Sequence, residues 1–250
     1  MATKKKMLQA AAGVGGAGLD VNEVFSTYLY EANSTARSIT NGIDLAGEGG
    51  LVWLKSRSST REHALYDTER GAEKLIKSNS TGVQQNTSGG LTSFNSDGFS
   101  LGTYADVNGT SYGDFASWSF RKAAKFFDVQ TWTGDGTTGR QISHNLAGEV
   151  GTLIIKKTSA TGAWIVYHRS LGTSKYMALE STSQALNFSA VNTVTSTYFV
   201  SDNQNASGAT YVAYIFAHND GDGEFGPDAD QDIIKCGSYT GNGSTTGPVI

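Results

Sequence analysis

Only one cysteine, Cys236, occurs in the 250 residues. An intrachain disulfide is therefore impossible, and a cysteine-based zinc site has too few ligands. That suits assembly in a reducing compartment. Proline is nearly as scarce, with 2 residues against 31 glycines, so the turns fall to Gly, Asn, Asp, Ser and Thr. Charged residues make up 17% and the formal net charge is −4. A general electrostatic pull toward nucleic acid is thus excluded, and so is the high charge of a disordered chain. The one basic cluster is Lys4-Lys5-Lys6. No run of 18 apolar residues exists, so no membrane-spanning helix is expected. The residues after Lys6 imitate a secretory signal, but the apolar part is short, contains Gln9 and dissolves into glycines from Gly13. Residues 1–26 therefore read as an N-terminal arm that orders against a partner, with a short helix at 5–12.

What the chain does have is aromatics and a repeat. Eleven Phe, 11 Tyr and four Trp are enough to fill cores. Leu45-Ala46-Gly47-Glu48 returns as Leu146-Ala147-Gly148-Glu149. In the same register Leu51-Val52-Trp53-Leu54-Lys55 aligns with Thr152-Leu153-Ile154-Ile155-Lys156, and Leu65-Tyr66-Asp67 with Val166-Tyr167-His168. Phe115–Phe120 corresponds to Tyr211–Phe216. Thr131-Trp132-Thr133-Gly134-Asp135-Gly136 returns a third time as Ser238-Tyr239-Thr240-Gly241-Asn242-Gly243.

The units read as strands. Leu51–Leu54 and Thr152–Ile155 are short apolar runs, too short for helices. Phe115–Phe120 alternates with period two, placing Ala116, Trp118 and Phe120 on one face. Asp-Gly and Asn-Gly supply turns. The expected fold is mostly β: two tandem β-sandwich or jelly-roll-like modules preceded by a short N-terminal arm. The arm is assigned to 1–26, the modules to 27–128 and 129–235, and the start of a third repeat to 236–250, with the natural chain expected to continue. A short helix is also expected at 69–76.

The run Ile39–Arg57, then Tyr66–Gly71 and Leu91–Leu101, resembles a repeated module of virion proteins from tailed bacteriophages of marine bacteria and cyanobacteria. Trp118–Lys122, Phe126–Val129 and Tyr167–Leu171 continue the match, which covers roughly residues 20–250. The Phe-Asn-Ser-Asp-Gly-Phe signature is lost from the second copy over 173–210. The resemblance implies a tail-fibre-like or other tail-associated virion protein with no known active site. By the same analogy it implies a homotrimer, attached to other tail proteins through the N-terminal arm and to host surface glycan through distal parts.

Candidate chemistry is thin. His63, His144, His168 and His218 have no metal-ligand spacing. Asp67, four residues after His63, is replaced by His168 in the second copy. Gly-x-Ser-x-Gly and Walker motifs are missing, and the glycine run at 13–18 follows no strand. Residues 219–232 hold six carboxylates, but Phe225 and Gln231 break a calcium-loop register, so a solvated acidic linker is expected there. Trp53, Trp118, Trp132 and Trp164 could stack on sugars, although Trp53 and Trp118 sit in core-like strands. No catalytic, cofactor or metal residue is assigned, and no cofactor. A virion structural protein leads, with a head or tail decoration protein, a lectin-like receptor-binding module and a glycan-degrading enzyme behind it.

Overall fold

The computed structural model describes residues 18–247. Positions 1–17 lie outside it, and so do the expected helix at 5–12 and most of the arm. The remainder of the arm is part of the fold. Leu19 pairs with Phe225 in a parallel bridge, and helix α1 (Val21–Val24) starts with a capping box between Asp20 and Glu23. Gly18 is needed there, because a Cβ would come within 2.3 Å of the Glu224 carbonyl oxygen.

The protein is mostly β, as the period-two patterns indicate, and every strand pair is antiparallel. In the first half, β1 (Phe25–Glu31), β3 (Gly50–Ser56), β4 (Ala64–Asp67) and β9 (Asp114–Arg121) form a large sheet in the order β1-β9-β3-β4. A small sheet has the order β2-β8-β7, from β2 (Arg37–Thr40), β7 (Leu91–Asn95) and β8 (Gly98–Leu101). Two short strands, β5 (Lys74–Leu75) and β6 (Gln85–Asn86), pair with each other, and Ile76 just after β5 bridges to Leu65 of β4. The helix expected over 69–76 is therefore a turn followed by β5. Gly71 at φ +91° and Glu73 at φ +62° are incompatible with helix.

The second half repeats this order. Its large sheet reads β10-β17-β12-β13-β14, from β10 (Phe127–Thr133), β12 (Val150–Lys157), β13 (Ile165–His168), β14 (Met177–Ala178) and β17 (Thr210–Ala217). Its small sheet reads β11-β16-β15, from β11 (Gln141–Ser143), β15 (Thr193–Val194) and β16 (Tyr198–Val200). Register agrees from Leu51 and Thr152 onward, after a bulge between Val150 and Thr152: Trp53 faces Trp118 across β3 and β9, and Ile154 faces Tyr214 across β12 and β17. Where the second sequence loses its signature, Phe199 opposite Ile142 takes the place of Phe99 opposite Ile39. Residues 236–247, the third opening, carry no strand.

Each half buries a core between its large and small sheets, around Tyr66, Phe99 and Phe115 in one and Leu153, Phe199 and Tyr211 in the other. A third core joins the outer faces of the two large sheets. Leu51, Leu65 and Phe120 from one half meet Phe127, Trp164 and Tyr214 from the other. The result is four layers: small, large, large, small. Both faces of the large sheets are thus covered. In β9 the fully buried face is Phe115, Ser117 and Ser119, while Trp118 and Trp53 are half-buried. Tyr214 and Ile154, at the same register positions, are buried.

Residues 219–232 do not form an extended linker. Asn219 and Phe225 are buried, and Phe225 packs edge-on against Phe126. Lys125 holds Asp222 at 2.8 Å, and the Asp232 carboxylate accepts the Gly221 and Gly223 amides at 2.8 and 2.9 Å. Cation pairing and amide capping remove the mutual repulsion that would have extended the chain.

Candidate functional site

The seam between the two large sheets brings together Asp67, Arg70 and Tyr214, and beside them Lys156 and Trp164. Asp67 ends β4 and is fully buried. Its carboxylate accepts from Arg70 Nε at 2.6 Å and from the Tyr214 hydroxyl at 2.7 Å, and its second oxygen accepts the Arg70 amide at 2.8 Å. The Arg70 guanidinium also donates to the carbonyls of Lys74 and Leu65, to Gln84 and to the Tyr214 oxygen. Burial raises the Tyr214 hydroxyl well above the usual phenol range, so it stays a donor to Asp67. A buried charge pair is costly unless it is hydrogen-bonded, and here both Asp67 oxygens accept and each guanidinium nitrogen of Arg70 donates.

A second link lies at the β12 end of the seam. Trp164 is fully buried, and its Nε1 donates to the carbonyls of Lys77 and Ser80 at 3.1 and 3.0 Å. The Lys156 ammonium donates to Thr81 O at 3.0 Å and Gly162 O at 2.7 Å, and lies 5.9 Å from the centre of the Trp164 ring. The 77–84 loop of the first half is thereby clamped onto the second. Its counterpart Lys55 only reaches back to the carbonyls of Ser56 and Ser59.

Burial pushes the Lys156 ammonium down to about 8, against a partial restoring effect of Glu180. The folded state then releases this proton before the unfolded chain does, whose lysine titrates near about 10.4. Between those two values the unfolded state binds more protons, so stability rises with pH. A gain of roughly 1–3 kcal/mol from pH 8 to 10.4 is expected in urea titrations. Lys156→Met should flatten that rise. An unchanged slope in the variant would show that other groups cause it.

Of the histidines only His168 and His218 lie near each other. His63 accepts the Trp53 indole N–H at 2.8 Å through Nδ1, His144 stacks on Phe199, and His218 accepts the Cys236 amide. Burial lowers His63, His144 and His168, so these three are neutral near pH 7. Among the described residues no three His, Cys, Asp or Glu side chains cluster as a metal site would require. Asp97 is exposed in the β7–β8 turn and shares no hydrogen bond with Asp67. Trp132 is buried, stacked on Tyr211 at 5.2 Å with its N–H bound to Gln204 O. An open cleft of about 430 Å³ crosses the seam between Glu69, Arg70, Gln84 and Trp132.

Sequence reasoning marked Asp67 and Trp164 but missed Arg70, Lys156 and Tyr214 as their partners. A signal existed for one pair: Asp67 and Arg70 stand three apart in the first copy and become His168 and Leu171 in the second. Such a one-sided pair marks a residue facing the other copy.

Sheet order and seam together define an all-antiparallel β protein of two like-ordered halves locked through equivalent faces. The chain belongs to the family described as Domain of unknown function (DUF7483), whose match spans residues 20–250. No curated protein and no solved structure matches it.

Proposed function

We propose that this chain is a structural component of a tailed-phage virion, the tail-attached N-terminal part of a tail fibre, built from two copies of one module expected at 27–128 and 129–235, with β1 (from Phe25) and β10 (from Phe127) starting the two copies slightly earlier. The observation that carries this reading is the seam. Asp67, Arg70, Tyr214, Lys156 and Trp164 are engaged in joining the halves, with their polar atoms bonded to protein. A catalytic site needs such groups held in mutual reach around an open position. The strand order shared by the two halves, with β14 as an addition in the second, supports the module reading.

One observation favours the second reading, a head or tail decoration protein. The halves pack by equivalent faces, which closes the pair in the way an isologous contact does. Repeats that lengthen a filament stack through different faces. A fibre would then gain length from successive pairs. The test is to delete residues 1–17 in the phage genome and probe purified particles with antibody. The fibre reading expects normal circular dichroism of the isolated variant and its loss from the tail. Label over the head, or undiminished incorporation, supports decoration through module surfaces. The chain's absence from intact particles removes both.

A further inference from the structure

The halves differ most at one end of the sandwich. In the first half Arg61 stacks over the Tyr112 ring at 4.2 Å and pairs with Asp106, which also accepts the Tyr104 hydroxyl at 3.1 Å. Helix α2 (Ala105–Asn108) drives Val107 into the core there. In the second half the position of Arg61 is Gly162, a single 3-10 turn (Asp202–Gln204) stands in place of the α-helix, and the connection before the last strand is three residues shorter. A hollow of about 250 Å³ opens where the first half is filled.

Its wall and rim differ in chemistry. Ile165, Tyr176 and Phe188 form the apolar wall, with the two rings edge to face at 6.3 Å and Phe188 53% exposed. Lys157, Asn203 and Gln204 form the rim. Asn203 uses one amide hydrogen on the Ser189 carbonyl, and its oxygen remains an acceptor. Gln204 is held through its backbone by Ser201 and Trp132, and its side-chain amide has no partner among the described residues.

We propose that this hollow binds one pyranose ring of a glycan. A pyranose presents a C–H face to an aromatic wall and a belt of hydroxyls that both donate and accept. Side-chain amides at the rim answer both needs. Pockets for drug-sized ligands run about 300–1,000 Å³, so a hollow slightly below that range takes a single ring. An exposed aromatic beside convergent polar groups is how small-molecule sites orient a ligand.

The test uses the purified chain and saturation-transfer NMR with methyl glycosides of glucose, galactose, mannose, N-acetylglucosamine and glucuronic acid. Each is present at about 10 mM, suited to millimolar affinity. Gly162→Arg refills the hollow as the first half does. It should not disturb the backbone, since a Cβ at Gly162 meets nothing nearer than Lys157 Cβ at 3.9 Å. Phe188→Ala removes the wall. Transfer to at least one glycoside is expected, abolished by Gly162→Arg and weakened roughly fivefold or more by Phe188→Ala, with thermal unfolding of both variants unchanged. Repeating the assay with host polysaccharide shows whether the ring is recognised within a chain or only as a free sugar. No transfer from any glycoside, transfer that survives Gly162→Arg, or stronger competition by N-acetyl-leucine amide would overturn the proposal. None of these outcomes depends on where the protein sits in a particle.

Discussion

Asp67→Ala is expected to lower the unfolding free energy by about 3–5 kcal/mol, because it leaves the Arg70 guanidinium buried without its counter-charge. Arg70 is 4% exposed at its side chain and Asp67 not at all, so the cleft beside Arg70 gives water little access to replace the lost carboxylate. Tyr214 loses its acceptor at the same time. Converting both ions to apolar residues, Asp67→Leu with Arg70→Met, should recover part of the loss, since the desolvation cost disappears with the charges. The Tyr214→Phe variant loses a donor to Asp67 and an acceptor for Arg70 and should cost about 1.5–3 kcal/mol, the range for hydrogen bonding to a charged group. A double-mutant cycle between Asp67 and Tyr214 isolates their coupling across the seam. Urea unfolding followed by far-ultraviolet circular dichroism reads all of these. A loss below about 1 kcal/mol for Asp67→Ala would place the pair among exposed surface bridges.

Trp164→Ala should cost about 3–5 kcal/mol, the range for truncating a buried indole. Two effects combine there. The third core loses its largest fully buried side chain, and the 77–84 loop loses both bonds to the indole N–H. Lys156 also loses the ring beneath its ammonium. The loop should then open locally before the sheets unfold. Limited proteolysis should cut the variant first within 77–84 while β12 and β17 stay protected. Cleavage patterns identical to the parent protein would show that the loop is held by other contacts.

The strands were legible because their signals are local. Short apolar runs ended by glycine, period-two alternation in Phe115–Phe120 and the repeated Leu-Ala-Gly-Glu turn each depend on neighbours in sequence. Even the equivalence of Trp53 with Ile154 and Trp118 with Tyr214 followed from the repeat alone. What stayed hidden was the docking of the two halves. Alternation distinguishes one face of a strand from the other, but it cannot say that a second sheet covers the outer face as well. Trp53 and Trp118, in core-like strands by sequence, lie on that outer face and are half-buried. Residues 69–76 carry good helix formers, yet Gly71 and the positive φ at Glu73 let tertiary pairing of β5 win over propensity. The acidic stretch at 219–232 followed composition, which does not see that Lys125 and backbone amides wait beside it.

Native-state hydrogen exchange, resolved by mass spectrometry, tests most directly whether the seam makes the two halves one structural body. With one cooperative unit, amides of β3 and β9 and amides of β12 and β17 exchange through the same global opening, with equal free energies and equal sensitivity to urea. Asp67→Ala should lower both sets together. Exchange of one half at a clearly lower free energy than the other, with Asp67→Ala shifting only the first, would contradict it.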